Sequence, residues 1–278
     1  MMISVQNLYY AYGRKEIFNN ITLQADTGCI YGLLGKNGTG KTTFLHNLAG
    51  LLFPSKGSIN IAGYSPKDRL PSFLKQIFMV PEEFYLPDMP VKSFAKHTGR
   101  FYPLFAQDHF VTCLDEFGIS QNANLQNLSF GQKKKVLISF ALATNTRLLL
   151  MDEPTNGLDI IGKSQLRKII ASSFDDNKCI IISSHQVKDL ENLVDRVIII
   201  DEGRIILNES LSRISEKLSF KISFDSAEIG WAIYNERLLR GHAVVSINID
   251  DFESKIDLEL LYKATMANPK LIQSIFNS

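Results

Sequence analysis

The sequence has almost no net charge, few cysteines and no long apolar run, and each shortage excludes something. Its 30 lysines and arginines nearly balance 29 aspartates and glutamates, leaving a formal charge of +1. No general attraction to nucleic acid or anionic lipid follows from that balance, so no nucleic-acid partner is expected. The three cysteines, Cys29, Cys113 and Cys179, form no CxxC pair. An odd number so widely spaced fits buried thiols in a reducing compartment, not a disulfide framework or a zinc site. The opening MMISVQNLYYAYG has no early lysine or arginine and no apolar h-region, so a signal peptide is not expected. No stretch of 18 apolar residues occurs, so no membrane span is expected either. Internal repeats and low-complexity segments are also missing. What remains is an ordinary globular composition, 45% hydrophobic and 21% charged over 278 residues, enough for one large domain with a modest appendage.

Short apolar runs at Ile3–Leu8, Ile21–Gln24, Ile30–Leu34 and Ser58–Ile61 predict strands, and a helix is expected from Lys41 to about Leu51. Between about 84 and 145 the spacing turns helical, at Val91–Phe101, Phe105–Phe117 and Gly131–Ala143, which predicts a helical insertion. Strand-like runs resume at Leu148–Met151, Cys179–Ser183 and Val197–Asp201, alternating with helices, as in a parallel sheet buried on both faces. The tail reads as strand Ser219–Phe224, helix Glu228–Leu239, strand Ala243–Ile249 and a helix from Leu258 to Met266, extending toward Phe276. The expected division is one large domain over 1–208 and a small α+β extension over 209–278.

Gly35-Lys36-Asn37-Gly38-Thr39-Gly40-Lys41-Thr42 ends a strand and opens a helix, fitting the GxxxxGK[ST] phosphate loop. Backbone N–H groups must converge on phosphate oxygens, and glycine permits the tight turn they need. The helix N-terminus, reaching through Thr43, adds its positive dipole end. Lys41 is expected on the β- and γ-phosphates, and the Thr42 hydroxyl on Mg²⁺. An acidic pair, Asp152-Glu153, follows the run Leu148–Met151, a strand expected to lie beside the phosphate-loop strand. Asp152 suits Mg²⁺ and Glu153 the activation of water. Alone, the pair would read as a cap for the next segment; paired with the upstream loop it reads as a triphosphatase site.

Further motifs narrow the class. Leu128-Ser129-Phe130-Gly131-Gln132 resembles the LSGGQ signature of ABC ATPases, Asn156-Gly157-Leu158-Asp159 resembles their D-loop, and Ser183-Ser184-His185 resembles their switch histidine. Tyr12 resembles the aromatic that stacks on adenine. The order and spacing run from residue 3 to about 207, and the chain is identified as resembling the ATP-binding subunit of ABC transporters, of the drug- and polysaccharide-export type. The resemblance implies a P-loop NTPase core of mainly parallel sheet, with an antiparallel β subdomain, the helical insertion and the C-terminal extension. It implies ATP and Mg²⁺ as cofactors, Ser129, Gly131, Gln132 and Asp159 at nucleotide across a dimer interface, and His185 at the γ-phosphate. It also implies a homodimer or heterodimer of ATPase chains with an integral-membrane permease, on the cytoplasmic face of the membrane.

Two residues depart from the family pattern. Phe130 stands where the signature has a glycine, and Glu82 stands where the family has a glutamine that approaches Mg²⁺ and the attacking water. Glu82 keeps an oxygen for the metal but cannot donate as an amide. A soluble ABC ATPase of ribosomes or DNA is the rival reading. The single phosphate loop and the lack of sustained heptads weigh against it, and a GTPase would need an NKxD-like guanine motif that is missing. Ser129 would also serve as a plain helix cap.

Overall fold

The computed structural model describes residues 1–249 and 254–277. It opens with β1 (Ile3–Tyr12), β2 (Lys15–Ala25) and β3 (Cys29–Leu34), followed by α1 (Lys41–Leu48) and β4 (Lys56–Ile61). Next come α2 (Pro71–Leu74), β5 (Ile77–Val80), α3 (Val91–Thr98), α4 (Gln107–Glu116) and α5 (Phe130–Ala143). The chain returns through β6 (Leu148–Asp152), α6 (Ile160–Ser173), β7 (Cys179–Ser184), β8 (Arg196–Asp201) and β9 (Arg204–Ser210). Its last part holds α7 (Leu211–Lys217), β10 (Leu218–Ser223), α8 (Ser226–Trp231), β11 (Tyr234–Arg237), β12 (His242–Ile247), α9 (Leu258–Ala267) and α10 (Pro269–Asn277).

The central sheet has six strands in the order β5-β6-β7-β3-β8-β9, parallel except for the edge strand β9. Its inner strands have no polar alternation because both faces are covered. Leu34, Leu149, Met151, Ile180 and Ile182 join one core cluster with α5 and the helical insertion. Their neighbours Tyr31, Leu33, Leu148, Leu150 and Ile181 join another with α1 and the antiparallel sheet β2-β1-β4. This is the side-chain period of two, with each set facing its own layer. The helical insertion is seated by Phe140 of α5, which lies among Phe78, Phe94, Tyr102, Phe105 and Phe110 at ring distances of 5.0–6.2 Å.

The last part forms an antiparallel sheet, β10-β12-β11, backed by α9. Its apolar residues, Leu218, Val245, Leu261 and Ile272 among them, are continuous with the core on one face of the central sheet. Lys188 pairs with Glu259 at 3.3 Å, and Arg213 Nη2 donates to the Phe276 carbonyl at 2.6 Å.

The expected helix over Glu228–Leu239 is not formed. A short helix stops at Trp231, and Tyr234–Arg237 pairs with His242–Val245 instead. Gly241, at φ 77°, lets Leu238 N–H reach its carbonyl and close a hairpin, so tertiary pairing overrides local helical spacing. The strand expected over Ala243–Ile249 ends at Ile247. The first helix ends at Leu48 rather than Leu51, because Gly50 turns the chain at φ 66°. The closing helix is two helices, broken at Asn268-Pro269.

Candidate active site

β3 delivers the chain to Gly35 and α1 begins at Lys41, so the intervening loop must reverse within a few residues. Gly38 and Gly40 do this at φ 83° and 102°. A Cβ on Gly40 would lie 2.6 Å from Phe18, whereas nothing is within 4 Å of one on Gly38, where the loop faces open space. Lys41 is buried and folds its ammonium under the loop, donating to the carbonyls of Gly35 at 2.8 Å and Lys36 at 3.3 Å. Thr39 Oγ1 also donates to the Lys36 carbonyl. The loop is therefore held as a cradle, with the free N–H groups of the first turn of α1 at its end.

The acidic pair does not sit on the strand next to β3, as expected; β7 lies between β3 and β6. Small side chains bridge the extra spacing. Thr42 Oγ1 donates to Asp152 Oδ2 at 2.6 Å, and Ser183 Oγ of β7 donates to Asp152 Oδ1 at 2.6 Å. The same Ser183 oxygen accepts from Glu153 N–H at 2.9 Å. Glu153 occupies the left-handed region at φ 46°, uncommon for a residue with a side chain and a form of strain that the surroundings must hold. Its buried carboxylate lies 3.6 Å from Lys41 Nζ and 2.9 Å from His185 Nδ1, with neither oxygen in an aligned hydrogen bond.

Tyr12, Asn37, Gly38, Gly40, Lys41, Thr42, Thr43, Glu82, Glu153 and His185 line one cavity of about 520 Å³. Gly35, Lys36, Thr39 and Asp152 support its floor through the contacts above. Tyr12 is half exposed at the rim, its hydroxyl 3.5 Å from Thr43 Oγ1. Glu82 accepts from Asn156 Nδ2 at 2.9 Å. Lys15, Ile17 and Asn156 also line the cavity and were not singled out from sequence as site residues. Only Asn156 carried a signal, as the first residue of the D-loop motif.

Ser129, Gly131, Gln132 and Asp159 do not line this cavity. Ser129 and Gln132 form a capping box on α5: Ser129 Oγ accepts from Gln132 N–H at 3.2 Å, and Gln132 Oε1 accepts from Ser129 N–H at 3.0 Å. Asp159 caps α6 by accepting from Gly162 N–H. A Cβ on Gly131 would lie 2.5 Å from the Gly157 carbonyl, so the signature and the D-loop touch within the chain. Phe130 stacks on Phe84 at 5.3 Å and covers Gly157.

The donor set suits a hard divalent cation: the Thr42 hydroxyl and Asp152 carboxylate are joined at 2.6 Å, and the Glu82 carboxylate faces the same cavity. Among the described residues no group of three or more His, Cys, Asp or Glu could hold a metal by itself. Few protein ligands is the pattern of Mg²⁺ held jointly with phosphate oxygens.

A phosphate cradle feeding a helix, with a carboxylate pair reaching it across one strand, defines a P-loop nucleoside triphosphatase. Residues 18–156 match the ABC transporter family. The chain is 33% identical over 215 residues to the lantibiotic transport ATP-binding protein SrtF of Streptococcus pyogenes, covering 75% of this chain and 90% of that one. Its similarity to the linearmycin resistance ATP-binding protein LnrL of Bacillus subtilis is 26% identity over 283 residues, covering 98% and 90%. Among solved structures it is similar to the ATP-binding subunit of an ABC transporter, with a TM-score of 0.70 and 25% identity over 77% of this chain and 92% of that one. It is also similar to cbiO1 of Clostridium perfringens, with a TM-score of 0.65 and 27% identity over 77% and 90%. The chain belongs to the ABC transporter family and is an ATP-binding, ATP-hydrolysing subunit of that family.

Proposed function

We propose that two such ATPase chains close around Mg·ATP and drive an export permease from the cytoplasmic face of the membrane. One observation carries the two-chain reading: the cavity gathers the phosphate cradle, Glu153 and His185, while Ser129 and Gly131 of the signature lie outside it. A second chain, identical or homologous, would bring its signature to the open side of the cradle. The α+β extension over 209–278 belongs to the same chain as an accessory unit.

In this reading the Lys41 ammonium leaves the Gly35 and Lys36 carbonyls for the β- and γ-phosphates. Thr42, Asp152 and Glu82 would hold Mg²⁺, which when bound would supply charge neutralisation on the phosphates. Glu153 accepts the proton of the attacking water as the water oxygen bonds to the γ-phosphorus and the β–γ bridging oxygen leaves. His185, beside Glu153, donates to a γ-phosphate oxygen and orients the water. Tyr12 stacks on the adenine, and the D-loop with Asp159 meets the partner chain.

Among the described residues no helix is long and apolar enough to cross a membrane. One feature of the structure supports the permease partner. An apolar cavity of about 470 Å³ lies between the central sheet and the helical insertion, lined by Leu51, Leu74, Phe78, Phe101 and Tyr102. Its β5 wall leads within two residues to Glu82 of the ATP cavity, so a permease segment seated there would feel closure. The relatives named for lantibiotic transport and linearmycin resistance support a transport role, and one named for Nod factor export supports the outward direction.

The test is Glu153→Gln. Mg·ATP binding is retained, hydrolysis falls about 10²–10⁴-fold with loss of the base, and light scattering finds an ATP-dependent dimer. Parental turnover in this variant removes Glu153 as the base. A monomer at saturating ATP refutes the two-chain site, and failure to co-purify an integral-membrane protein from native membranes refutes the permease.

A further inference from the structure

Lys134 is fully buried, five residues past the cap of α5, and donates to the Glu153 carbonyl at 2.9 Å. Its ammonium also lies 5.5 Å from the ring centre of Phe130, one helical turn back. A buried cation is expensive unless it is paired and hydrogen-bonded. Burial pushes the Lys134 ammonium below its usual range, while the Glu82, Asp152 and Glu153 carboxylates oppose that shift. The peptide of Glu153 is thus gripped on both sides: its N–H by Ser183 Oγ, its carbonyl by Lys134. The grip falls on the residue at φ 46° whose carboxylate faces the cradle.

We propose that Lys134 is a positioning residue of ATP hydrolysis, which with Ser183 clamps the main chain of Glu153 and ties the signature helix to the catalytic carboxylate of its own chain. This rests on the assignment of Glu153 as the base. The signature helix, on the two-chain reading, also meets the partner's nucleotide. A shift of α5 on ATP binding would then reach Glu153 through a single side chain, which links one site to the other without passing through the permease.

The experiment compares Lys134→Met, Lys134→Arg and Glu153→Gln in the full chain by steady-state ATP hydrolysis, with thermal melts as the measure of folding. Lys134→Met keeps the apolar stem and loses the donor. Its kcat falls about ten- to a hundredfold, the scale of a misplaced catalytic group, while KM for Mg·ATP stays within about twofold. Lys134→Arg keeps charge and donor and recovers most of the rate. A purely structural lysine would lower the melting temperature and leave the kcat of the folded fraction unchanged, which overturns the proposal. Raised KM at parental kcat also overturns it, since Lys134 would then act on binding. Should Lys134→Met not fold, Lys134→Leu, which also lacks a donor, is measured in the same way, and parental kcat in that variant overturns the proposal. Parental turnover in Glu153→Gln would overturn the base assignment instead, so the two failures are distinguishable.

Discussion

Ser183 is the hinge of the catalytic floor, and its removal has a calculable cost. Its hydroxyl, fully buried, donates to Asp152 Oδ1 at 2.6 Å and accepts from Glu153 N–H at 2.9 Å. Ser183→Ala strands a buried amide, at about 1–3 kcal/mol, and strips a charge-assisted bond from a buried carboxylate, at about 1.5–3 kcal/mol. The sum is about 2.5–6 kcal/mol. At about 2–3 °C per kcal/mol for a chain of this size, the melting temperature falls by roughly 5–18 °C. Ser139 supplies the control, because it is equally buried but its hydroxyl bonds only the Lys135 carbonyl of its own helix. Ser139→Ala should change the melting temperature by less than about 2 °C, since that carbonyl keeps its helical partner. The assay is a thermal melt of both variants without nucleotide, followed by ATP hydrolysis at a temperature where both are folded. Ser183→Ala should also lose turnover, as Glu153 N–H is no longer anchored. If both serine variants melt together, water or rearrangement satisfies the two groups, and the bridge across β7 is not what holds the site.

Much of this site was legible because its chemistry constrains residue type. A loop that turns at φ 83° and 102° needs glycines, and a cradle needs a lysine and a hydroxyl at fixed spacing, so residues 35–42 announce themselves. The parallel strands were legible from unbroken apolar runs. Strand order was not, because nothing local to Leu148–Asp152 records that β7 intervenes; only the small side chains of Thr42 and Ser183 hint at how the gap is crossed. Lys134 was invisible for another reason. A lysine in KKK reads as a solvated face, and its burial follows from the docking of α5 on the sheet. The hairpin at 234–247 was misread as part of a helix over Glu228–Leu239 because the strand pairing that wins is non-local and leaves no mark on the local sequence.

The remaining predictions address the cradle, the thiols and the signature. Lys41→Ala should weaken ATP binding at least about thirtyfold, roughly 2 kcal/mol for a charge-assisted contact, and unchanged affinity by calorimetry would remove the cradle assignment. Burial pushes the Cys113 thiol up to about 11 and raises Cys179 further. A raised value means the protonated, unreactive form persists, so at pH 8 a thiol reagent should modify neither until the protein unfolds; rapid labelling of Cys113 in the native state would contradict this. Ser129 caps α5 and, in the two-chain reading, also meets the partner's nucleotide, so one hydroxyl would serve two separable roles. Aspartate caps helices as well as serine does and favours the helix dipole, so Ser129→Asp should leave the melting temperature within about 2 °C and monomer ATP binding intact. The added carboxylate would nevertheless face the partner's γ-phosphate, and like charges oppose closure. ATP-dependent dimerisation, followed by light scattering in a Glu153→Gln background, should therefore disappear, while Ser129→Asn, capped but neutral, keeps much of it. If aspartate and asparagine dimerise alike, Ser129 is a helix cap only, and the signature does not complete the neighbouring site.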